Sequence, residues 1–414
     1  MPELVRHTET VVRDALTHAR VVVIQGARQV GKSTLLNRIM TDLGGEVRTL
    51  DDPATLSSAR SDPLGFLAHS AHCLAIDEVQ RAPELILPLK LIVDRDPRPG
   101  RFLLTGSSDL LRVPGVGDSL AGRAVTVRVR PFSQGELVSV RESFLTRCLQ
   151  GEHFAGLRSE LTRGDYAELA TVGGYPAAAL APSRRVRERF FSDYATRLVM
   201  RSADEISTLN EPRLLPRLLR LIAERNTQEL NQSDLARELG VVPSTLARYV
   251  DLLDTMQLVD LIPAWSRNLS ERAVRRPKMV ISDTGLGADL IGLDAAGAGP
   301  LGDPKLAGPL LESFVANELL RQMTWSDERI DLFHVRDRAG LEIDLLLELR
   351  DGRAIAIEVK ASASVSASDG KWITIAAQRM GNRFIHGYLL YTGSSSLSLG
   401  PHLTALPIAA LWQS

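Results

Sequence analysis

The segment that most constrains the fold is GARQVGKS at residues 26–33, which has the spacing G-x-x-x-x-G-K-S. It follows a short apolar run at residues 21–24 and leads into a helix-like segment at residues 33–40. Glycines let the backbone N–H groups point at phosphate oxygens, and the N-terminus of the following helix adds a favourable dipole. We therefore expect ATP to bind to the loop residues Gly26, Ala27, Arg28, Gln29, Val30, Gly31, Lys32, Ser33 and Thr34.

Two acidic residues end a second apolar run and supply the rest of the chemistry that such a loop needs. Asp77 and Glu78 directly follow the apolar residues 74–76. Lys32 would reach the β- and γ-phosphates of the nucleotide. Ser33 and Asp77 would hold Mg²⁺, while Glu78 would polarise the attacking water. The sequence thus predicts ATP hydrolysis with Mg²⁺, in which Lys32 and Glu78 are catalytic residues.

Short apolar runs alternate with helix-like segments between residues 20 and 130. Such runs lie near residues 21–24, 47–50, 73–76, 102–105 and 124–129. Strands that are buried on both faces and separated by helices are typical of a doubly wound parallel sheet. The fold class expected for this region is therefore α/β, with the parallel sheet of a P-loop NTPase. A chain of 414 residues is too long for one ordinary core, so further domains are expected.

Polar residues after the apolar run at 102–105 indicate where a water-orienting side chain could lie. Ser107 is preferred over Ser108 for this role, although a serine-rich turn would look the same. Taken with the loop and the acidic pair, these features resemble the AAA+ group of P-loop ATPases. That resemblance implies a homo-oligomer in which Arg123 projects into a neighbouring ATP site and offsets charge on the γ-phosphoryl group. The alternative is that Arg123 is an ordinary surface arginine.

The resemblance extends to most of the chain through several short motifs. They are GARQVGKS at 26–33, DEVQ at 77–80, LTGSS at 104–108, GGYP at 173–176 and SDTGL at 282–286. Together they resemble a group of bacterial and archaeal AAA-type ATP-binding proteins whose C-terminal domain has no assigned function. The resemblance implies an ATPase core at 1–135, a helical lid at 136–210, a winged helix-turn-helix at 211–265 and an α/β domain at 266–414.

Residues 231–250 have the pattern of two helices joined by a turn at residues 240–243. Either Asn231 or Ser233 would cap the first helix. The residues that could contact DNA lie at the start of the second helix and in the basic connector that follows it. They are Ser244, Thr245, Arg248 and Tyr249, with Arg275 and Arg276 in the connector. A single arginine on the helix is sparse for reading the major groove, so a purely structural packing module is an equal alternative.

Acidic residues and a lysine recur near strand-like runs of the C-terminal region. Asp344 is followed 14 residues later by Glu358-Val359-Lys360, a pattern that resembles the PD-(D/E)xK, restriction-endonuclease-like fold. Glu312 lies where that fold often supplies another acid, so Glu312, Asp344 and Glu358 could hold a divalent ion beside Lys360. The alternatives are a solvated Glu-x-Lys pair or a domain that only binds. A strand is expected at 279–282, and the Gly- and Ala-rich residues 285–308 are expected to be loop.

The net charge of −1 excludes a global field that would attract nucleic acid, so any such contact must come from local patches. Two cysteines without metal-type spacing, and the lack of a signal peptide or a long apolar span, favour a cytoplasmic protein with no membrane contact. The leading hypothesis is an oligomeric ATPase that acts on or near DNA. The alternatives are an ATP-gated scaffold that recruits a protein partner, and a metal-dependent nuclease with ATP as an allosteric switch.

Overall fold

A computed structural model describes residues 4–106, 120–198, 211, 213–266, 272, 275–300, 302–337 and 340–413. The chain divides into two compact units. The first comprises residues 1–131 with 255–257, and the second comprises residues 132–254 with 258–414. Within the described residues, no helix is both long enough and apolar enough to span a membrane.

The first unit is built on a five-stranded parallel sheet with the strand order β2-β3-β4-β1-β5. The strands are β1 (Val21–Gln25), β2 (Glu46–Thr49), β3 (Leu74–Asp77), β4 (Phe102–Gly106) and β5 (Ala124–Arg128). The helices are Thr8–His18, Lys32–Leu43, Pro53–Ser61, Pro63–Leu67 and Ile86–Arg95. All residues of β1, β3 and β4 are buried, which explains why these strands are continuous apolar runs in the sequence. The predicted parallel α/β sheet is confirmed.

The second unit begins with short helices. They are Gln134–Val138, Phe144–Leu149, Arg163–Val172, Pro176–Ala179 and Arg184–Asp193, followed by a π-helix at Tyr194–Leu198. Ser133 and Thr162 each form a capping box at the start of a helix. The mostly helical character expected for 136–210 therefore agrees with the residues described up to 198. The role of this segment as a lid stays a prediction.

Three helices and a two-stranded antiparallel sheet follow. The helices are Leu214–Glu224, Gln232–Leu239 and Pro243–Thr255, and the strands are β6 (Val259–Ile262) and β7 (Lys278–Ile281). Asn231, rather than Ser233, caps the second helix by accepting the backbone N–H of Asp234. Strand β7 lies beyond the predicted boundary at 265/266 and pairs with β6; the boundary itself stays a prediction.

A six-stranded mixed sheet forms the C-terminal part, with the order β12-β13-β11-β10-β9-β8. Its strands are β8 (Ile330–Arg336), β9 (Glu342–Leu349), β10 (Ala354–Lys360), β11 (Phe384–Tyr391), β12 (Leu397–Gly400) and β13 (Leu403–Pro407). Helix Pro304–Gln322 packs on one face of the sheet and helix Lys371–Met380 on the other. Helix Ala410–Gln413 ends the described chain.

The prediction of a loop at residues 285–308 is wrong. Helices Thr284–Leu290 and Ala295–Ala298 lie there, and helix Pro304–Gln322 begins there. Asp283, Asp294 and Asp303 cap the three helices, each through a side chain that accepts a backbone N–H. These caps stabilise helices in a stretch whose glycines disfavour them.

Candidate active site

The loop between β1 and helix Lys32–Leu43 has the tight backbone expected of a phosphate-binding loop. Gln29 and Gly31 have φ values of +61° and +96°, in the left-handed region. A Cβ at Gly26 would lie 2.4 Å from the carbonyl oxygen of Val129, so only glycine fits there. The nine predicted nucleotide-binding residues, 26–34, all lie in this loop and the first turn of the helix.

Lys32 points its ammonium group into this loop. Its Nζ donates a hydrogen bond to the backbone oxygen of Ala27 at 3.0 Å, and the residue is only 4% exposed. Burial lowers the pKa of Lys32 to about 8, although the carboxylates of Glu78 and Asp77 oppose the shift. A buried cation is costly unless an anion neutralises it. The loop therefore fits a phosphate group that would lie against Lys32.

Asp77 lies at the carboxyl end of β3 and accepts two hydroxyl hydrogen bonds through one oxygen. Ser33 Oγ lies 2.9 Å from Asp77 Oδ1, and Thr105 Oγ1 lies 2.5 Å from the same atom. A serine hydroxyl paired with a carboxylate is the oxygen donor set that Mg²⁺ takes beside a bound nucleotide. Ser33 and Asp77, predicted from separate motifs, are thus brought together and fit Mg²⁺.

Glu78 has a left-handed backbone, with φ +59° and ψ +44°, which is rare for a residue other than glycine. Two neighbours hold it in place. Its backbone N–H donates to Thr105 Oγ1 at 3.0 Å, and the side-chain amide of Gln80 donates to its carboxylate. Backbone strain of this kind persists where surrounding contacts enforce it, and it occurs frequently at active sites.

Sequence reasoning missed Thr105, which contacts both acidic residues. Ser107, the predicted water-orienting residue, lies outside the described residues. Thr105 ends the apolar run of β4 and is fully buried, and β4 pairs with β3 so that Ile76 is opposite Leu104. The available signal was that Thr105 is a polar residue at the end of a buried strand. That signal indicates a site only once β3 is known to be the neighbour of β4.

Arg123 lies at the edge of the sheet opposite the phosphate-binding loop. It directly precedes β5, whose first residue, Ala124, is opposite Val21 at the start of β1. Its guanidinium forms a two-point ion pair with Asp94, with N–O distances of 2.6 and 2.9 Å. Arg123 therefore does not line the site of its own chain, and its predicted role in a neighbouring site stays a prediction.

The predicted DNA-contacting residues differ in exposure. Ser244, Arg248 and Arg276 are exposed, and Thr245 and Arg275 are partly exposed. Arg275 donates to the backbone oxygen of Arg336 at 3.1 Å. Tyr249, expected on the exposed start of its helix, is instead buried, and its hydroxyl donates to the backbone oxygen of Glu211. The expectation that Tyr249 is exposed for contact with DNA is therefore wrong.

The predicted acidic cluster of the C-terminal sheet does come together. Asp344 of β9 accepts the backbone N–H of Val359 at 2.9 Å, and Lys360 forms an ion pair with Glu358 at 2.8 Å. Burial and the nearby Asp344 raise the pKa of Glu312 to about 8 and that of Glu358 to about 7.

Lys278, which the sequence analysis did not single out, also joins this cluster. Its Nζ lies 2.6 Å from Glu312 Oε1 and 3.9 Å from Asp344 Oδ1. No group of three or more His, Cys, Asp or Glu residues in the described part of the chain is arranged to hold a metal ion. Lys278 therefore contacts two of the three acids of the expected metal site, and the role of Glu312, Asp344 and Glu358 as metal ligands stays a prediction.

Comparisons with known proteins match three segments of the chain. A family model described as an AAA domain matches residues 18–138. Two domains of unknown function, DUF8612 and DUF4143, match residues 163–297 and 307–411. Together with the parallel sheet and its loop, the first match shows that the N-terminal unit has the P-loop NTPase fold.

Two mycobacterial proteins align with nearly the whole chain. The chain is 28% identical over 397 residues to the uncharacterised proteins Rv2008c of Mycobacterium tuberculosis and Mb2031c of Mycobacterium bovis. Each alignment covers 96% of this chain and 82% of the relative.

One solved structure with some likeness is that of the Walker-type ATPase PABY2304 of Pyrococcus abyssi. Its sequence identity is 16% and its TM-score is 0.43, and the match covers 70% of this chain and 96% of that chain. Another is AMPPCP-bound DnaA from Aquifex aeolicus, at 16% identity and a TM-score of 0.29, covering 59% and 86% of the respective chains.

Proposed function

We propose that this protein binds ATP with Mg²⁺ and hydrolyses it to ADP and phosphate. One observation carries the proposal: side chains from three separate motifs meet at the carboxyl edge of the parallel sheet. Lys32 is buried there, Ser33 contacts Asp77, and Thr105 contacts Asp77 and the backbone of Glu78. The AAA domain match over residues 18–138 supports the same reaction class.

The roles of the side chains follow from their chemistry. Lys32 binds the β- and γ-phosphates and neutralises part of their charge. Ser33 and Asp77 hold Mg²⁺, which supplies further neutralisation of the phosphate oxygens when bound. The Glu78 carboxylate orients the attacking water and accepts its proton. Gln80 and Thr105 fix Glu78 from the carboxylate side and from the backbone side.

Steady-state ATPase assays on the full chain test the proposal. Lys32→Ala should weaken ATP binding, as measured by calorimetry, and remove turnover. Glu78→Gln should keep ATP binding and lose turnover, because the amide cannot accept the proton from water. Matched controls are Lys305→Ala and Glu84→Gln, which change an exposed lysine and an exposed glutamate. Equal turnover in the wild type, Lys32→Ala and Glu78→Gln would remove the enzymatic proposal.

We further propose that nucleotide state changes the conformation of the helical segments at 136–210 and 211–265, and that the protein acts on or near DNA. Ser244, Arg248 and Arg276 support this proposal because each is exposed and could contact a phosphate group. Phosphate contacts require that the affinity for duplex DNA fall as salt rises. Arg248→Ala with Arg276→Ala should lower the affinity and reduce the slope of its logarithm against the logarithm of salt concentration.

The competing function is an ATP-gated scaffold that recruits a protein partner. This alternative is motivated by the near-neutral net charge and by the single arginine, which is exposed, on the helix Pro243–Thr255. Fluorescence anisotropy with labelled duplex and single-stranded DNA at low salt discriminates between the two functions. No binding to either DNA, with or without ATP, would favour the scaffold.

The alternative of a metal-dependent nuclease stays a prediction, and Lys278 contacts two of its three predicted metal ligands, Glu312 and Asp344. A homo-oligomer is also proposed, since a finger arginine acts across a subunit boundary. Mass photometry with and without ATP measures the subunit number directly.

A further inference from the structure

Lys278 belongs to the hairpin strand β7, whereas its acidic partners belong to the C-terminal sheet and its helix. It lies 34 residues before Glu312 and 66 residues before Asp344 in the sequence. Its side chain is 7% exposed, and Glu312 and Asp344 are 16% and 15% exposed. The three groups therefore interact in surroundings from which most water is excluded, where charge–charge attraction is strong.

The backbone around Lys278 is held by hydrogen bonds on both sides, which sets the point from which its side chain reaches the acids. On one side, β7 pairs with β6 so that Lys278 is opposite Ile262. On the other, Leu230 N–H donates to Pro277 at 2.7 Å, and the backbones of Gln228 and Met279 hydrogen-bond at 2.9 Å. The backbone position of Lys278 is thus set by the fold of the hairpin.

Carboxyl groups lie close to the ammonium group of Lys278: it donates a hydrogen bond to Glu312 Oε1 at 2.6 Å and lies 3.9 Å from Asp344 Oδ1. Each acid of the cluster has a protein donor: Glu312 has Lys278, Asp344 has the N–H of Val359, and Glu358 has Lys360. The cluster thus contains two ammonium groups and three carboxyl groups.

One oxygen of the cluster is left over. Glu358 Oε2 is buried and has no hydrogen-bond partner within the described residues. A buried carboxyl oxygen without a donor costs free energy and is a ready ligand for a cation. Lys278 and Lys360, however, place two positive charges beside any cation that would approach it.

We propose that Lys278 is a built-in cation that takes the place of a divalent metal ion in the C-terminal acidic cluster. The ion pairs of Lys278 then hold strand β7 against the C-terminal sheet and its helix. The wild-type cluster does not bind Mg²⁺ or Mn²⁺. Removing the ammonium group while keeping the volume of the side chain converts the cluster into a divalent-ion site made of Glu312, Asp344 and Glu358.

Mn²⁺ binding to nucleotide-free protein, measured by electron paramagnetic resonance of the free ion, tests this proposal. The proteins compared are the wild type, Lys278→Met, Asp344→Asn and the double variant Lys278→Met with Asp344→Asn. Any Mn²⁺ bound near Asp77 is common to all four proteins, so the differences report on the cluster. Lys278→Met should bind one Mn²⁺ that the wild type does not bind at the same concentration, a gain of at least about tenfold in affinity at this cluster, because a repelling charge is gone.

The double variant should lose that additional site, since one of its three acids is missing. The wild type and Asp344→Asn should show the same Mn²⁺ titration. A wild-type Mn²⁺ site that Asp344→Asn removes would overturn the proposal, because metal and lysine would then coexist. No gain of Mn²⁺ binding in folded Lys278→Met would overturn it as well. If Lys278→Met does not fold, the comparison of the wild type with Asp344→Asn still decides.

Discussion

The carboxylate of Asp283 accepts a hydrogen bond from the backbone N–H of Gly174 at 2.7 Å, joining segments 109 residues apart. The same side chain caps helix Thr284–Leu290 through the N–H of Leu286 at 3.1 Å and lies 3.5 Å from the guanidinium of Arg321. A Cβ at Gly173, whose φ is +70°, would lie 2.2 Å from Asp283 Oδ1. The GGYP and SDTGL motifs therefore pack against each other through Asp283 in the interior of the second unit.

Removing the carboxylate of Asp283 should strongly destabilise this unit. Asp283 is fully buried and Arg321 is 2% exposed, so Asp283→Ala leaves a buried guanidinium whose remaining ion-pair partner among the described residues is Glu318. Loss of one member of a buried ion pair costs about 3–5 kcal/mol. Urea unfolding measures the change. Asp351→Ala, which breaks an exposed pair with Arg353, should cost less than about 1 kcal/mol. Equal losses in the two variants would contradict the role assigned to burial.

Thr105 should matter for turnover more than for binding. Thr105→Val keeps the shape of the side chain but removes the hydroxyl that contacts Asp77 and the N–H of Glu78. Misplacing a catalytic group by about 1 Å can cost about a hundredfold, so we expect kcat to fall by about tenfold to a hundredfold while ATP affinity changes little. Thr105→Ser, which keeps the hydroxyl, should retain most of the rate. A loss of ATP affinity with unchanged kcat in Thr105→Val would contradict this role.

Mixing two inactive variants tests whether Arg123 acts across a subunit boundary. Arg123→Ala keeps its own Lys32 and Glu78 but lacks the arginine, and Lys32→Ala keeps the arginine but lacks the nucleotide site. If Arg123 acts on a neighbour, mixed oligomers regain ATPase activity that neither variant has alone. An arginine finger contributes about 10³–10⁵ in rate, so recovery is easy to detect. Asp94→Asn, which weakens the ion pairs of Asp94 with Arg123 and Arg20, should remain active. If Arg123→Ala alone keeps full activity, the finger assignment is wrong.

The parts of the fold that depend on local pattern could be predicted from the sequence. β1, β3 and β4 are buried on both faces, so each is a continuous apolar run that is visible without knowledge of its neighbours. The loop at residues 26–33 and the acids after β3 were predicted because their spacing is fixed by chemistry. The helices between 284 and 308 were missed because glycine and alanine content outweighed the capping aspartates in the prediction.

Contacts set by strand register and tertiary packing could not be predicted from the sequence. Thr105 reaches Asp77 only because β4 is the neighbour of β3, a pairing between segments about 28 residues apart. Lys278 meets Glu312 only because a hairpin strand packs against a distant helix, and its sequence neighbours suggested a basic connector. In both cases the residue type was visible in the sequence, but its partner was not.

His386 should make the stability of the second unit depend on pH. Burial, with smaller contributions from His153 and His402, lowers the pKa of His386 from 6.5 to about 4, and its Nε2 lies 2.9 Å from Thr404 Oγ1. The unfolded chain therefore binds the proton at a higher pH than the folded chain does. The contribution to stability is complete above about pH 6.5, falls as the pH drops towards 4, and is constant below that. Allowing for solvent screening, the loss is about 1–2 kcal/mol.

Urea unfolding at pH 7.5, 6 and 5 measures this dependence. The free energy of unfolding should change less with pH for His386→Gln than for the wild type. His18→Gln, at an exposed position, should keep the wild-type slope. Identical slopes for the wild type and His386→Gln would show that this imidazole takes up its proton as readily in the folded chain as in the unfolded one.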